Sequence, residues 1–146
     1  MPLRTQAVLF ACGLNVIRSP MAEAIARYHF GRSLFVASAG VRAGEPDPFV
    51  RSVLDEIGIA FDRHRPHSFE DLEESEGLNF DLIVTLAPEA HHRALELTRT
   101  IAAAVEYWPT PDPSIIHGNR EQRLEAYRQL REGLTARITA RFGTRL

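Results

Sequence analysis

The 146 residues predict an α/β fold: one doubly wound, four-stranded parallel sheet in the flavodoxin-like order 2-1-3-4. Three observations carry this. Short apolar runs recur at residues 7–11, 34–38, 81–86 and 103–108, as expected of strands covered on both faces. Helical apolar spacing fills the intervals, and strand–helix alternation requires right-handed crossovers between parallel strands. The length suits a single domain over residues 1–146, with no repeat, linker or low-complexity segment.

Taken in order, the strand at 7–11 runs into a loop that opens on Cys12. Ser19 then reads as a helix N-cap with Pro20 at the first helical position. Met21, Ala24, Ile25, Tyr28 and Phe30 form the apolar stripe of that helix, which Gly31 ends. The second strand closes at Gly40, and the turn-rich stretch 41–47 follows. Phe49, Val50, Val53, Leu54 and Ile57 mark a helix closed by Gly58. Residues 62–68 read as irregular, and 69–77 as an acidic helical turn in which Glu73, Glu74 and Glu76 face solvent. Pro88 starts a helix to about Thr98. The last helix covers 120–142, with Leu124, Tyr127, Leu130, Leu134, Ile138 and Phe142 along one side.

Composition narrows the function classes. A net charge of −2 gives no reason to expect nucleic acid or an anionic membrane as partner. Basic residues recur from Arg120 to Arg145, but Glu121, Glu125 and Glu132 interleave with them, as on a solvated helix face. The single cysteine cannot form an internal disulfide. No apolar stretch approaches a membrane span, and residues 1–6 lack the core of a signal peptide. A reducing cytoplasm, and a monomer or weak dimer, are the expected state.

The chemistry-bearing stretch is Cys12-Gly13-Leu14-Asn15-Val16-Ile17-Arg18-Ser19-Pro20. Five residues between Cys12 and Arg18 let the loop curl into a cup, with the sulfur at its floor and the guanidinium on its rim. Backbone N–H groups of Gly13, Leu14, Asn15, Val16 and Ile17, with the first helical turn, would then favour an oxyanion. The same positive potential favours a thiolate, which makes Cys12 a nucleophile for phosphorus. Arg18 offers a planar fork for two phosphoryl oxygens. Ser19 can donate to the sulfur, and Asn15 tolerates a left-handed backbone and can pin the loop. Asp112, stiffened between Pro111 and Pro113, is the candidate general acid, and it falls on the same sheet edge as Cys12. His64, His67, His91 and His92 show no metal-ligand spacing and read as structural or solvent-facing.

These residues resemble the low-molecular-weight protein tyrosine phosphatase family. The resemblance rests on Val8-Leu9-Phe10, on Cys12 with Arg18 to Ala24, and on Ser38-Ala39-Gly40. Gly58-Ile59 followed by His64, Asp81-Leu82-Ile83 and Asp112-Pro113 extend it along the chain. It implies a cysteinyl-phosphate intermediate, Arg18 as phosphate binder, Asp112 as acid, and Asn15, Ser19 and Ser38 as loop supports. It implies no metal and no organic cofactor, and a phosphorylated protein or small phosphomonoester as substrate.

Three departures mark this chain. Gly13 precedes Leu14 where the family has a variable residue and then Gly, so the cup is expected to differ in shape. Ile17 replaces a second cysteine, which leaves Cys12 without a partner that could trap its oxidised form. Ser114-Ile115-Ile116 stand where aromatic residues line a slot for a tyrosine ring. The alternatives are an arsenate reductase served by an external thiol and a non-catalytic phosphate-binding module.

Overall fold

The computed structural model describes residues 5–143. The readings made at residues 1–4 and at Arg145 lie outside them. The order is β1 (Ala7–Cys12), α1 (Arg18–Phe30), β2 (Phe35–Gly40), α2 (Pro48–Asp55), α3 (Phe69–Ser75), β3 (Leu82–Thr85), α4 (Pro88–Leu97) and β4 (Ala104–Tyr107). A 3-10 turn (Pro113–Ile115) and α5 (Arg120–Phe142) complete it. The sheet is parallel throughout, in the order β2-β1-β3-β4.

Alternation along β1 divides the core into two layers. Val8, Phe10 and Cys12 pack with Met21, Ile25, Leu54, Ile138 and Phe142 from α1, α2 and α5. Leu9 and Ala11 face the opposite way, toward Phe69, Leu72, Ala90, Ala94 and Leu97 of α3 and α4. Both faces of the strand are dry, which is why its sequence is apolar without alternation. The α5 stripe is buried as its spacing requires.

Several boundaries move for identifiable reasons. Pairing of Cys12 with Gly40 carries β1 one residue past its expected end and takes β2 through Gly40 itself. Asp81 stays outside β3, where its carboxylate accepts from the N–H groups of Gln6 and Ala7 at 2.9 Å each. Ser19 is not the N-cap of α1: the helix begins at Arg18 after Ile17, with no side-chain cap. The buried stripe of α1 is Met21, Ala22, Ile25 and Ala26, so Tyr28, expected inside, is 60% exposed. Asp47 caps α2, and Ile57 lies beyond its end, partly exposed. The acidic turn is a helix, α3, closed by a capping box between Ser68 and Asp71.

Candidate active site

Cys12 ends β1 and the next five residues lead into α1. The loop therefore sits at the carboxyl edge where the chain departs to β2 on one side and β3 on the other. Such a switch point leaves an open crevice beyond the strands. The loop is held by its carbonyls. Those of Cys12, Gly13 and Leu14 accept from the N–H groups of Val41, Arg42 and Gly44 at 3.2, 2.9 and 3.0 Å. The carbonyl of Asn15 accepts from His64 Nε2 at 3.0 Å, and that of Ile17 from Met21 N at 3.1 Å. Among the described residues, none of the backbone N–H groups of Gly13, Leu14, Asn15, Val16 and Ile17 donates to a protein acceptor. Carbonyls bonded outward and N–H groups left unpaired make a concave donor surface, the arrangement that binds an oxyanion.

Asn15 gives the loop its bend. It is the non-glycine residue with positive φ (56°) among those described, and it is fully buried. Its amide accounts for the left-handed conformation. Nδ2 donates to Ser19 Oγ and Ser38 Oγ at 2.9 Å each, and Oδ1 accepts from His67 N at 3.1 Å. The Asn15 side chain is wholly spent on anchoring, which leaves its backbone N–H to face the cup. Gly13 and Leu14 both have negative φ. Their exchanged order therefore strains nothing, because the left-handed step falls on Asn15.

Gly40 is where the loop packs most tightly. A Cβ there would meet the Arg42 carbonyl oxygen at 2.6 Å, Asn15 N at 2.7 Å and the Leu14 carbonyl carbon at 2.9 Å. Only glycine lets the end of β2 approach the cup so closely.

Ser19 Oγ lies 2.9 Å from Cys12 Sγ, and the sulfur is otherwise enclosed, with Cys12 3% exposed. Ser38 Oγ accepts from Asn15 and donates to Glu23, and its carbonyl accepts from His67 Nε2 at 2.6 Å. Burial pushes the His64 imidazole below its ordinary range, opposed by its bond to Asn15. The neutral ring therefore donates from Nε2 to the Asn15 carbonyl. His64 and His67, read from sequence as structural or solvent-facing, thus turn out to brace the loop. Glu23, Thr110 and Gly40 also carry site contacts that local spacing does not reveal.

Arg18 Nη1 donates to the Thr110 carbonyl at 2.9 Å, which ties the cup's rim to the loop after β4. The guanidinium forms no ion pair among the described residues. Two residues on, Asp112 is half-buried. Its Oδ1 accepts from Ser114 N at 2.9 Å and from Ser114 Oγ at 2.7 Å. Oδ2 makes no hydrogen bond to protein among the described residues, so one carboxyl oxygen is fixed and the other is open. Leu14, Ile115 and Ile116 are exposed, Val16 and Ile17 half-buried, and Arg42 pairs with Glu89 at 3.2 Å across Gly13. Trp108 is core, edge-on to Phe10. The described residues contain no group of three His, Cys, Asp or Glu placed to hold a metal ion.

A family model described as low molecular weight phosphotyrosine protein phosphatase matches residues 7–140. A low molecular weight protein-tyrosine-phosphatase of Streptomyces coelicolor is 32% identical over 79% of this chain and 74% of its own length. An arsenate reductase of Bacillus subtilis is 27% identical over 93% of this chain and 94% of its own. The solved low molecular weight protein tyrosine phosphatase of T. tengcongensis superposes with a TM-score of 0.76 at 27% identity. That match covers 96% of this chain and 99% of that one.

Proposed function

The chain belongs to the low molecular weight phosphotyrosine protein phosphatase family, and from that premise we propose that it hydrolyses phosphomonoesters through a phosphocysteine at Cys12. The observation that carries this is the row of unpaired backbone N–H groups beside a buried sulfur that a serine hydroxyl touches. Thiolate attack on phosphorus forms an S–P bond and breaks the ester P–O bond. The Arg18 fork and the loop N–H groups take the charge that spreads over the equatorial oxygens. Asp112 gives its proton to the departing oxygen. Water then attacks phosphorus, Asp112 accepts its proton, the S–P bond breaks with Ser19 donating toward sulfur, and phosphate leaves.

The rim favours a leaving group that tolerates aliphatic walls, since Ile115 and Ile116 are exposed beside Asp112. One domain over residues 1–146, acting in the cytoplasm as a monomer or weak dimer on phosphorylated protein or a small phosphomonoester, completes the proposal. No helix of the described residues is long and apolar enough to cross a membrane.

Similarity to arsenate reductases supports a second reading. Cys12 would displace an arsenate oxygen to form an S–As(V) bond. An external thiol would then attack the cysteine sulfur, giving a mixed disulfide as the electron pair passes to arsenic, and a second thiol would restore Cys12. The chain's single cysteine makes the external thiol obligatory.

The deciding assay compares phosphotyrosine, phosphoarginine and phosphoserine peptides with arsenate plus added thiol. Hydrolysis of phosphotyrosine or an aryl phosphate is the expected result. Thiol-dependent arsenate reduction without hydrolysis would favour the second reading, and no turnover of any would overturn both.

A further inference from the structure

Behind the cup, a cleft of about 580 Å³ lies between α1 and residues 59–67, a size typical of small-molecule sites. Pro20, Ala24 and Ile59 supply apolar surface, and Glu23, His64 and His67 line its inner side. Those inner residues are the ones that hold Asn15 and Ser38. The cleft wall and the loop anchors are thus one set of side chains.

Two features of the cleft leave groups exposed or half-exposed at its surface. Arg63 and Arg65 are exposed along it and form no ion pair among the described residues. Glu23 cannot neutralise them, because its oxygens are engaged by Arg27 and Ser38, so Asp62 is the one lining carboxylate left against two guanidinium groups. The second feature is aromatic. Tyr28, on α1 where helical spacing calls for burial, presents a ring 60% exposed, and Phe61 lines the same cleft with its ring stacked on His64.

From this juxtaposition we infer that the cleft is a second ligand site, taking a small molecule with a planar ring and an anionic group, of nucleoside-monophosphate size. The anion pairs with the Arg63 and Arg65 forks and the ring lies against Tyr28 and Phe61. Contact at His64 and His67 then reaches Asn15 directly. The site is separate from the phosphoryl cup, and its occupancy is read by binding, with turnover used only as a check that the cup is intact.

The test titrates adenosine 5′-monophosphate into the full chain with the cup saturated by inorganic phosphate, by calorimetry and by the imidazole resonances of His64 and His67. The expected result is saturable one-to-one binding that shifts both rings. Affinity should fall at least tenfold in Arg63→Glu/Arg65→Glu and in Tyr28→Ala, and adenosine should bind at least tenfold more weakly. The double variant should cleave an aryl phosphate at the unaltered rate without the nucleotide, which shows its cup to be intact. Absence of binding, displacement by inorganic phosphate, or equal affinity in the double variant would overturn the inference.

Discussion

Ser19 Oγ lies 2.9 Å from Cys12 Sγ while accepting a hydrogen bond from Asn15 Nδ2. Because Asn15 supplies the donor to that oxygen, the Ser19 proton is left for the sulfur or for the Ala39 carbonyl, and the carbonyl is the longer contact at 3.4 Å. Ser19 does not cap α1, and its hydroxyl is presented to the nucleophile.

Ser19→Ala removes one hydrogen bond to a charged group, about 1.5–3 kcal/mol. We therefore expect kcat to fall roughly 10- to 100-fold, with little change in phosphate affinity. Iodoacetamide alkylation of Cys12 at neutral pH should slow in parallel, because the thiolate is the reacting form. An unchanged alkylation rate would separate the hydroxyl from the sulfur's reactivity.

Arg18→Lys keeps the charge and loses the planar fork, together with the bond to the Thr110 carbonyl. The expected loss in kcat is about 10²- to 10³-fold, comparable to removing an oxyanion donor. Near-normal turnover of an aryl phosphate would show that a point charge suffices.

Asp112→Ala should lower kcat about 10²- to 10⁴-fold for an alkyl phosphate and much less for a nitrophenyl phosphate, whose leaving oxygen needs no proton. Equal loss across leaving groups would mean that Asp112 orders its loop through Ser114 and does not transfer a proton.

His64 gives a pH prediction. Burial, outweighing the Asn15 bond and the Glu23 charge, sets its folded value below the ordinary 6.5. Folding therefore prefers the neutral ring. The stability it contributes is complete above 6.5 and is lost as the pH falls below that toward the folded value. Thermal melts from about pH 7.5 down to pH 5 should show a steeper loss in the wild type than in His64→Gln. Glu56, held down to about 2 first by its bonds to Arg128 and Arg131, titrates below this window. Parallel slopes in the two proteins would contradict the assignment.

Local pattern made the strands, α5 and the Cys12–Arg18 loop legible, because burial on both faces of β1 and one-sided burial of α5 leave direct marks on residue order. The anchors distant in sequence were not legible. His64 and His67 reach Asn15 across 49 and 52 residues, and Arg18 reaches Thr110 across 92, distances that no periodicity spans. Tyr28 shows the converse limit: its spacing fits the α1 stripe, but the smaller Ala22 and Ala26 are the residues that pack there. The Gly13-Leu14 exchange looked disruptive only because the left-handed step could not be assigned to Asn15 from the order of residues alone.

The most direct test is to quench an aryl phosphate reaction in acid within the first turnovers and examine the peptide carrying Cys12 by mass spectrometry. The account predicts a phosphoryl group on that peptide in Asp112→Ala, which should slow the hydrolytic step, and none in Cys12→Ser, which should still bind phosphate. Turnover by Cys12→Ser, or hydrolysis with no phosphoryl group ever on that sulfur, would contradict it.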